Sequence, residues 1–269
     1  MKHFREKSCQ VRSDIIRMLT EAKSGHSGGS LSSADLLVAI YDKIMRHDPQ
    51  NPLWSNRDYF LLSKGHGCPA LYATLANCGY FPREELLTLR KFGSRLQGHP
   101  AKDKNLPGIE ASFGSLGFGL SVGVGLALGL RLDNKDNRVY VLMSDGEQQE
   151  GSVWEAAMSS GHYQLDNLCA IIDYNKLQID GPVEEIMGVS SLVDKYRAFR
   201  WHTIEIDGHD FSKIFQAFEE ARQTKGKPTL IIAHTIKGKG VSFMCDLVEW
   251  HGKAPSLEQA EKALKELQS

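Results

Sequence analysis

The stretch RVYVLMSDG at residues 138–146 decides the fold, together with LCAIIDYN at residues 168–175. Each stretch begins with a continuous apolar run, which is typical of a strand buried on both faces of a parallel sheet. Comparable runs occupy residues 202–206 and 229–234, and YFLL at 59–62 is a further candidate strand. Helix-compatible segments lie between the later runs. This alternation predicts an α/β fold with a mostly parallel sheet and helices on both faces.

The first part of the chain is predicted to be helix and loop. Val11, Ile15 and Leu19 are spaced by four, which predicts an opening helix that closes near Gly25. The string SLSSAD predicts a second helix, with Ser32 or Ser33 as its N-cap.

We expect further helices at about residues 152–163, 190–199 and 211–225. The prediction for the whole chain is one domain over residues 1–269. Within it, residues 1–25 form the N-terminal helix and residues 256–269 form a C-terminal helical tail.

The segment GSLGFGLSVGVGLALG at residues 114–129 carries glycines four apart, at Gly119 and Gly123 and again at Gly125 and Gly129. On a helix, glycines four apart lie on the same face and leave it without side chains, so another backbone can approach closely. Three interpretations stay open: an internal core helix, a subunit interface and the floor of a ligand site.

Composition excludes several classes of protein. Lys plus Arg total 32 and Asp plus Glu total 33, which disfavours nucleic acid as a partner. We find neither an apolar run long enough to cross a bilayer nor the pattern of a secretion signal. Five cysteines without a C-x-x-C pair predict free thiols and a cytoplasmic protein. Dinucleotide-fingerprint and Walker A patterns are missing.

Polar side chains follow two neighbouring strands where each strand ends. Asp145 and Asn175 are 30 residues apart, the length of one strand–helix–strand unit, so they are expected side by side at the carboxyl edge of the sheet. A carboxylate and an amide oxygen suit Mg²⁺ or Ca²⁺, and Gly146 permits close approach of a phosphate. Taken alone, these residues are equally consistent with a strand-end turn capped by Asp145.

Histidines next to glycine strengthen the ligand-site interpretation. His26, His66 and His99 follow glycine in the polar strings KSGHSGG, LSKGHGCPA and RLQGHPA, and His251 precedes glycine. Several imidazoles on glycine-rich turns suggest a common polar ligand. The remaining six histidines are predicted to be structural or exposed: His3, His47, His162, His202, His209 and His234.

Two motifs resemble the thiamine-diphosphate signature of transketolases. They are SDGEQQEGSVWEAA and LCAIIDYNKLQIDG, and SGHSGG, SKGHG, GSRLQGHP, NLPGIEASFGSLG, KGKG and EWHGK resemble the same family in the same order. The similarity runs from about residue 10 to 255. Ser144 and Ser115 depart from it, since they stand where the family usually has glycine and proline.

The resemblance implies roles for individual residues. Asp145, Asn175 and the main-chain oxygen of Leu177 would hold the metal, and Glu150 and Glu155 would form a proton relay between paired sites. The sugar would be contacted by four catalytic histidines, His26, His66, His99 and His251. The cofactor-binding residues would be Lys64, His66, Gly114, Leu116, Asp145, Gly146, Asn175, Ile179, Lys237 and His251.

The resemblance implies a transketolase that transfers a two-carbon ketol unit from a ketose phosphate to an aldose phosphate, with pentose phosphates as the default substrates. Complete family members also carry a second α/β domain, which supplies the glutamate that activates the cofactor. We therefore expect this chain to be the N-terminal, diphosphate-binding subunit of a split transketolase. A partner chain would complete a two-plus-two heterotetramer.

Two alternatives stay open. The first is another thiamine-diphosphate enzyme, such as deoxyxylulose-phosphate synthase or the α subunit of a 2-oxo-acid dehydrogenase, which we would not expect to keep these four histidines. The second is a non-catalytic binding or regulatory homologue. The intact Asp145, Asn175 and histidines argue against it.

Overall fold

A five-stranded parallel sheet forms the centre of the computed structural model, which describes residues 1–268. The strand order is β1-β2-β3-β7-β6, and β4 and β5 form a small antiparallel pair beside the sheet. All five sheet strands were predicted, with bounds that differ by at most one residue. The strands are β1 Tyr59–Leu62, β2 Val139–Ser144, β3 Leu168–Tyr174, β4 Leu177–Gln178, β5 Gly181–Pro182, β6 His202–Asp207 and β7 Thr229–His234.

Helices cover both faces of this sheet, as predicted. The helices lie before, between and after the strands, and a π-helical turn at Ile40–Ile44 extends the second of them. They are α1 Lys2–Ala22, α2 Gly28–Ala39, α3 Cys68–Asn77, α4 Phe118–Leu132, α5 Gly151–His162, α6 Val183–Met187, α7 Leu192–Ala198, α8 Phe211–Gln223 and α9 Leu257–Glu266.

Alternation along each strand divides the core into two layers. Tyr140 and Leu142 of β2 pack into a core with α1, α2, α3, α8 and α9. Val139 and Val141 point the other way, into a core with α4, α5 and α7. Because successive side chains of a strand point to opposite faces, both sets are apolar only in a strand that is covered on both sides.

The predicted start of the second helix was wrong. Helix α2 begins at Gly28, with Ser27 at its N-cap position, so Ser32 and Ser33 lie inside the helix. Tertiary contacts decide this start: a Cβ at Gly28 would stand 3.0 Å from the Trp250 carbonyl and 2.9 Å from the side chain of Lys237. Close packing at the glycine therefore outweighs its low helix propensity.

The glycine-rich segment forms α4, and its two glycine pairs face different surroundings. Gly119 and Gly123 pack against the sheet, where a Cβ would stand 2.3 Å from Ser63 and 2.7 Å from Val141. Gly125 and Gly129 have no described atom of another element within 4 Å of such a Cβ. One pair thus belongs to the core, and the other leaves an open surface on the helix.

The C-terminal tail is helical, as predicted, over α9. Ser256 caps this helix with a capping box: its hydroxyl accepts from the N–H of Gln259, whose side chain returns to the Ser256 N–H. Ser269, the last residue of the predicted tail, lies outside the described residues. Over residues 1–268, the helices are too short or too polar to span a bilayer.

Candidate cofactor site

The carboxyl ends of β2 and β3 bring Asp145 and Asn175 to one edge of the sheet. Ser144 and Asp173 are direct partners in the parallel ladder, so the two predicted metal ligands follow adjacent strand positions. The Asp145 carboxylate accepts hydrogen bonds from the backbone N–H groups of Gly146, at 2.8 Å, and Lys176. The backbone N–H of Leu177 donates to the amide oxygen of Asn175 at 3.3 Å.

Lys237 reaches this edge from the segment after β7. Its ammonium donates to the main-chain oxygen of Leu177 at 2.9 Å and lies 3.1 Å from Nδ1 of His251. Burial, followed by the nearby charge of Lys64, lowers the pKa of Lys237 to about 8. The carbonyl predicted to bind a metal therefore already attracts a positive group.

Lys64 has a partner that the sequence did not reveal. Its buried ammonium pairs with the fully buried carboxylate of Asp173 and donates to the Gly29 carbonyl at 2.9 Å. Ser32 also donates to Asp173, at 2.6 Å, and so does Thr235. Burial alone would raise the pKa of Asp173, but Lys64 and these hydroxyls lower it to about 2.

Three predicted histidines form one cluster of rings. The ring centroids lie 5.2 Å apart for His26 and His66, 5.5 Å for His26 and His251, and 5.4 Å for His66 and His251. Burial is the main cause that lowers the pKa of His26 to about 4 and that of His251 to about 3, and it holds the pKa of His66 well below its usual value. The imidazoles are therefore neutral near pH 7.

Neutral imidazoles have one N–H donor and one acceptor nitrogen, which suits them to bind hydroxyl groups. Nδ1 of His26 is buried and has no hydrogen-bond partner among the described residues. A buried polar atom of this kind is costly unless a ligand pairs with it. The cluster is therefore incomplete without a polar ligand.

A cavity of about 380 Å³ joins the sheet edge to the histidine cluster. It is lined by every predicted site residue except Glu155, including His99, Gly114, Leu116 and Ile179. Glu150 lines the cavity and is exposed, whereas Glu155 is exposed on α5 outside it. The six histidines that we expected to be structural or exposed do not line it.

Sequence reasoning missed a second buried carboxylate beneath the cavity. Glu147 accepts hydrogen bonds from the hydroxyl of Ser63, from the N–H of Gly117 at 2.8 Å and from the N–H of Ser144 at 3.1 Å. Burial raises its pKa. Nothing in the string SDGE distinguishes a buried glutamate from the exposed acidic residues common at a helix start. Gln149, Gln178 and Asp180 of the cavity wall were missed as well.

The oxygen atoms at the sheet edge fit a hard divalent cation. They comprise one carboxylate, one amide oxygen and one carbonyl, the ligand types that Mg²⁺ and Ca²⁺ prefer. Burial and the neighbouring Asp173 raise the pKa of Asp145 to about 6, and its hydrogen bonds within the described residues come only from backbone N–H groups. Residues 1–268 contain no group of three His, Cys, Asp or Glu suited to a metal, which makes a zinc-type site a poor fit there.

The fold and this cavity define a class of cofactor-binding α/β protein whose ligand sits at the carboxyl edge of a parallel sheet. The family described as "Transketolase, thiamine diphosphate binding domain" matches residues 8–267. The chain belongs to this family and comprises its thiamine-diphosphate-binding domain.

Two relatives match the chain along most of its length. An apulose-4-phosphate transketolase subunit from Phocaeicola vulgatus is 47% identical over 256 residues, covering 95% of this chain and 90% of that protein. The 6-deoxy-6-sulfo-D-fructose transketolase subunit SqwG of a Clostridium species is 46% identical over 264 residues, covering 96% of both chains.

A solved structure confirms the fold. Transketolase from Leishmania mexicana superposes with a TM-score of 0.93 at 31% identity, over 98% of this chain and 41% of that one. The chain therefore spans about two fifths of that solved transketolase.

Proposed function

We propose that this chain is the diphosphate-binding subunit of a split transketolase and works with a partner chain that supplies the pyrimidine-binding domain. The observation that carries the proposal is the cavity, which unites the oxygen ligands of the sheet edge, Lys237 and the neutral histidines. The two relatives described above are named as transketolase subunits and have nearly the same length as this chain.

An exposed apolar surface supports the need for a partner. Phe118, Val122 and Leu132 of α4 are 55%, 41% and 83% exposed, beside the bare surface of Gly125 and Gly129. Met158 and Tyr163, on and just after α5, are also about half exposed. Large exposed apolar patches mark interaction surfaces. Of the three interpretations of the glycine-rich segment, we therefore propose core packing for one face and a subunit interface for the other.

Asp145, Asn175 and the main-chain oxygen of Leu177 would hold Mg²⁺, or Ca²⁺ in its place, and the metal would fix the diphosphate. Gly146 and Lys237 lie beside this position and would contact the phosphates, while Leu116 and Ile179 would contact the ring system. When bound, thiamine diphosphate supplies the stabilised carbanion that breaks and forms the carbon–carbon bond. The protein supplies position and proton transfer.

The histidines would bind the sugar. His26 and His251 are assigned to the C3 hydroxyl and the carbonyl, and His99 to the C1 hydroxyl. His66 belongs to the cluster and lies near the charge of Lys64, so it would contact both cofactor and sugar. Because the His26 ring is partly buried and neutral, it can accept a proton from a hydroxyl at one nitrogen and donate from the other. In His251, Nδ1 accepts from the Lys237 ammonium, so Nε2 would donate to the sugar.

The proposed reaction moves a two-carbon ketol unit from a ketose phosphate to an aldose phosphate. Pentose phosphates are the first substrates to test, and the names of the relatives add apulose 4-phosphate and a sulfo-sugar as further candidates. We propose a two-plus-two heterotetramer in the cytoplasm, in which Glu150 and Glu155 form part of a proton relay between paired sites.

Reconstitution tests this function. The purified chain, a chain carrying the second domain, and their mixture are assayed for ketol transfer with Mg²⁺ and thiamine diphosphate. We expect activity only in the mixture, and light scattering should show two copies of each chain. Robust ketol transfer by this chain alone would contradict the split-site proposal. A mixture that binds the cofactor without transferring a ketol unit would support the non-catalytic alternative.

A further inference from the structure

Arg90 connects the two loops that carry His26 and His99. Its Nη1 donates to the hydroxyl of Ser24 at 2.7 Å, two residues before His26. Its guanidinium also lies over Gly98, the residue before His99. A single side chain thus contacts both histidine loops from outside the cavity.

The contact with Gly98 has a defined geometry. A Cβ at Gly98 would stand 2.9 Å from Nε, 3.1 Å from Cζ and 3.1 Å from Nη2 of Arg90. Three guanidinium atoms at nearly equal distances from one point indicate that the flat face of the group, not its edge, lies on the glycine. Any side chain at position 98 would displace it.

The backbone of Arg90 is also held in place. Its φ is 59°, in the left-handed region that non-glycine residues rarely adopt. Its N–H donates to the Leu96 carbonyl at 2.9 Å, which closes the turn that leads to Gly98. On the inner side, the hydroxyl of Tyr72 donates to the carbonyls of Gln97 and His99. Arg90 and Tyr72 therefore fix the His99 loop from two sides.

We propose that Arg90 is a positioning residue that sets the spacing between His26 and His99. This inference rests on the proposed function, in which both imidazoles bind the sugar. Arg90 makes no hydrogen bond to either ring, and it acts through Ser24 and Gly98. The metal ligands at the sheet edge are not among its contacts, so substrate use and cofactor binding should respond differently to its loss.

Charge gives independent support for this arrangement. After burial, Arg90 is the largest cause that lowers the pKa of both His26 and His99. A cation close to both rings opposes their protonation. The side chain that ties the loops together therefore also favours the neutral imidazoles that hydroxyl binding requires.

The test uses Arg90→Gln and Gly98→Ala in the reconstituted complex. Gly98→Ala leaves Arg90 in the chain but displaces its flexible end from the contact. Both variants should lower kcat/KM for the ketose by about 10–100-fold, since small misplacements of reacting groups have effects of this size. The affinity for thiamine diphosphate should change less than twofold. The double variant should be no worse than the more impaired of the two single variants, because both remove one contact.

Two further variants test whether the effect of Arg90 comes from its contact with Gly98, from its charge or from general stability of the loop. Arg90→Lys keeps the cation but loses the flat contact, so it should recover only part of the activity. Arg95→Gln is the matched control, because Arg95 lies in the same loop but pairs with Glu85 at 2.8 Å. Its kcat/KM should stay within twofold of the wild type. An equal loss in Arg95→Gln and Arg90→Gln would overturn the proposal.

Imidazole NMR signals of the full chain give a readout that does not depend on activity. In Arg90→Gln the signals of His26 and His99 should move, while those of His47 and His202 should not. Unmoved His26 and His99 signals would overturn the proposal even if activity fell. If the wild-type complex transfers no ketol unit, the proposed function fails, and the NMR signals alone still decide whether Arg90 ties the two loops.

Discussion

Asp145 and Asp173 are buried carboxylates at the ends of adjacent strands, yet their surroundings are opposite. Asp173 receives the Lys64 ammonium and hydroxyl donors from Ser32 and Thr235. Among the described residues, Asp145 receives only backbone N–H groups, from Gly146 and Lys176. Burial favours the neutral form of both carboxylates. Even so, the pKa of Asp173 is lowered to about 2, whereas that of Asp145 is raised to about 6.

The difference separates a structural carboxylate from the one that we propose binds a metal. The charge of Asp173 is neutralised within the chain, so it holds α2, β1 and β3 together under the cavity. The charge of Asp145 has no paired cation within residues 1–268 and faces the cavity. Burial alone therefore does not distinguish a functional carboxylate from a structural one. The two differ in whether a side chain of the same chain neutralises the charge.

Asp173→Asn should have the largest effect on folding. The substitution leaves the buried Lys64 ammonium without its partner, and breaking a buried ion pair typically costs about 3–5 kcal/mol. Urea denaturation of the chain without ligands measures this loss in the free energy of unfolding. Ser32→Ala, which removes one donor to the same carboxylate, should cost only about 1 kcal/mol. Similar losses for the two variants would contradict the assignment of Lys64 as the main partner.

Asp145→Asn should have the largest effect on ligand binding. It removes the proposed charged metal ligand, so Mg²⁺-dependent affinity for thiamine diphosphate should fall about 100-fold or more. Calorimetry measures the affinity, and the exposed Asp133→Asn at the end of α4 is the control. The unfolding free energy of the ligand-free chain should not fall, because the substitution removes an uncompensated buried charge. Unchanged cofactor affinity would refute the metal assignment.

The two carboxylates should give opposite slopes of stability with pH. Because the folded pKa of Asp145 is raised to about 6, stability of the ligand-free chain should fall, by up to about 3 kcal/mol, as pH rises from about 4 to 7. The folded pKa of Asp173 is lowered to about 2, so its contribution is lost as pH falls from about 4 to 2. Thermal unfolding across pH tests both slopes. Asp145→Asn should remove the loss of stability between about pH 4 and 7. If that loss persists in the variant, another titratable group causes it.

His99→Ala should impair catalysis much more than it lowers the free energy of unfolding. We expect kcat/KM of the reconstituted complex to fall about 10–100-fold, the range of one lost proton-transfer or positioning group. The unfolding free energy should change by less than about 0.5 kcal/mol, since His99 is exposed. Steady-state kinetics and urea denaturation of the same preparation give both numbers. Equal losses in the two measurements would make His99 a structural residue, as Asp173 is.

The strands and the placement of the proposed metal ligands were predictable from local sequence. Apolar runs define buried strands, and the ends of parallel strands share one edge, so Asp145 and Asn175 had to be neighbours once the strands were known. The pairing of Lys64 with Asp173 was not predictable, because the two residues are 109 positions apart and Asp173 ends an ordinary apolar run. The start of α2 was missed for a related reason, since contacts from Lys237 and Trp250 fix it.

The sequence by itself determined the α/β layers, the family, and the set of glycine-flanked histidines, because periodicity and short motifs are local properties. Only the tertiary structure decided which carboxylate has an internal counter-ion, which histidines share one cluster, and that Arg90 contacts both histidine loops. These outcomes depend on contacts between residues that are far apart in the sequence, which form only when the helices pack on both faces of the sheet. Burial then sets the protonation of each group according to the neighbours that it meets.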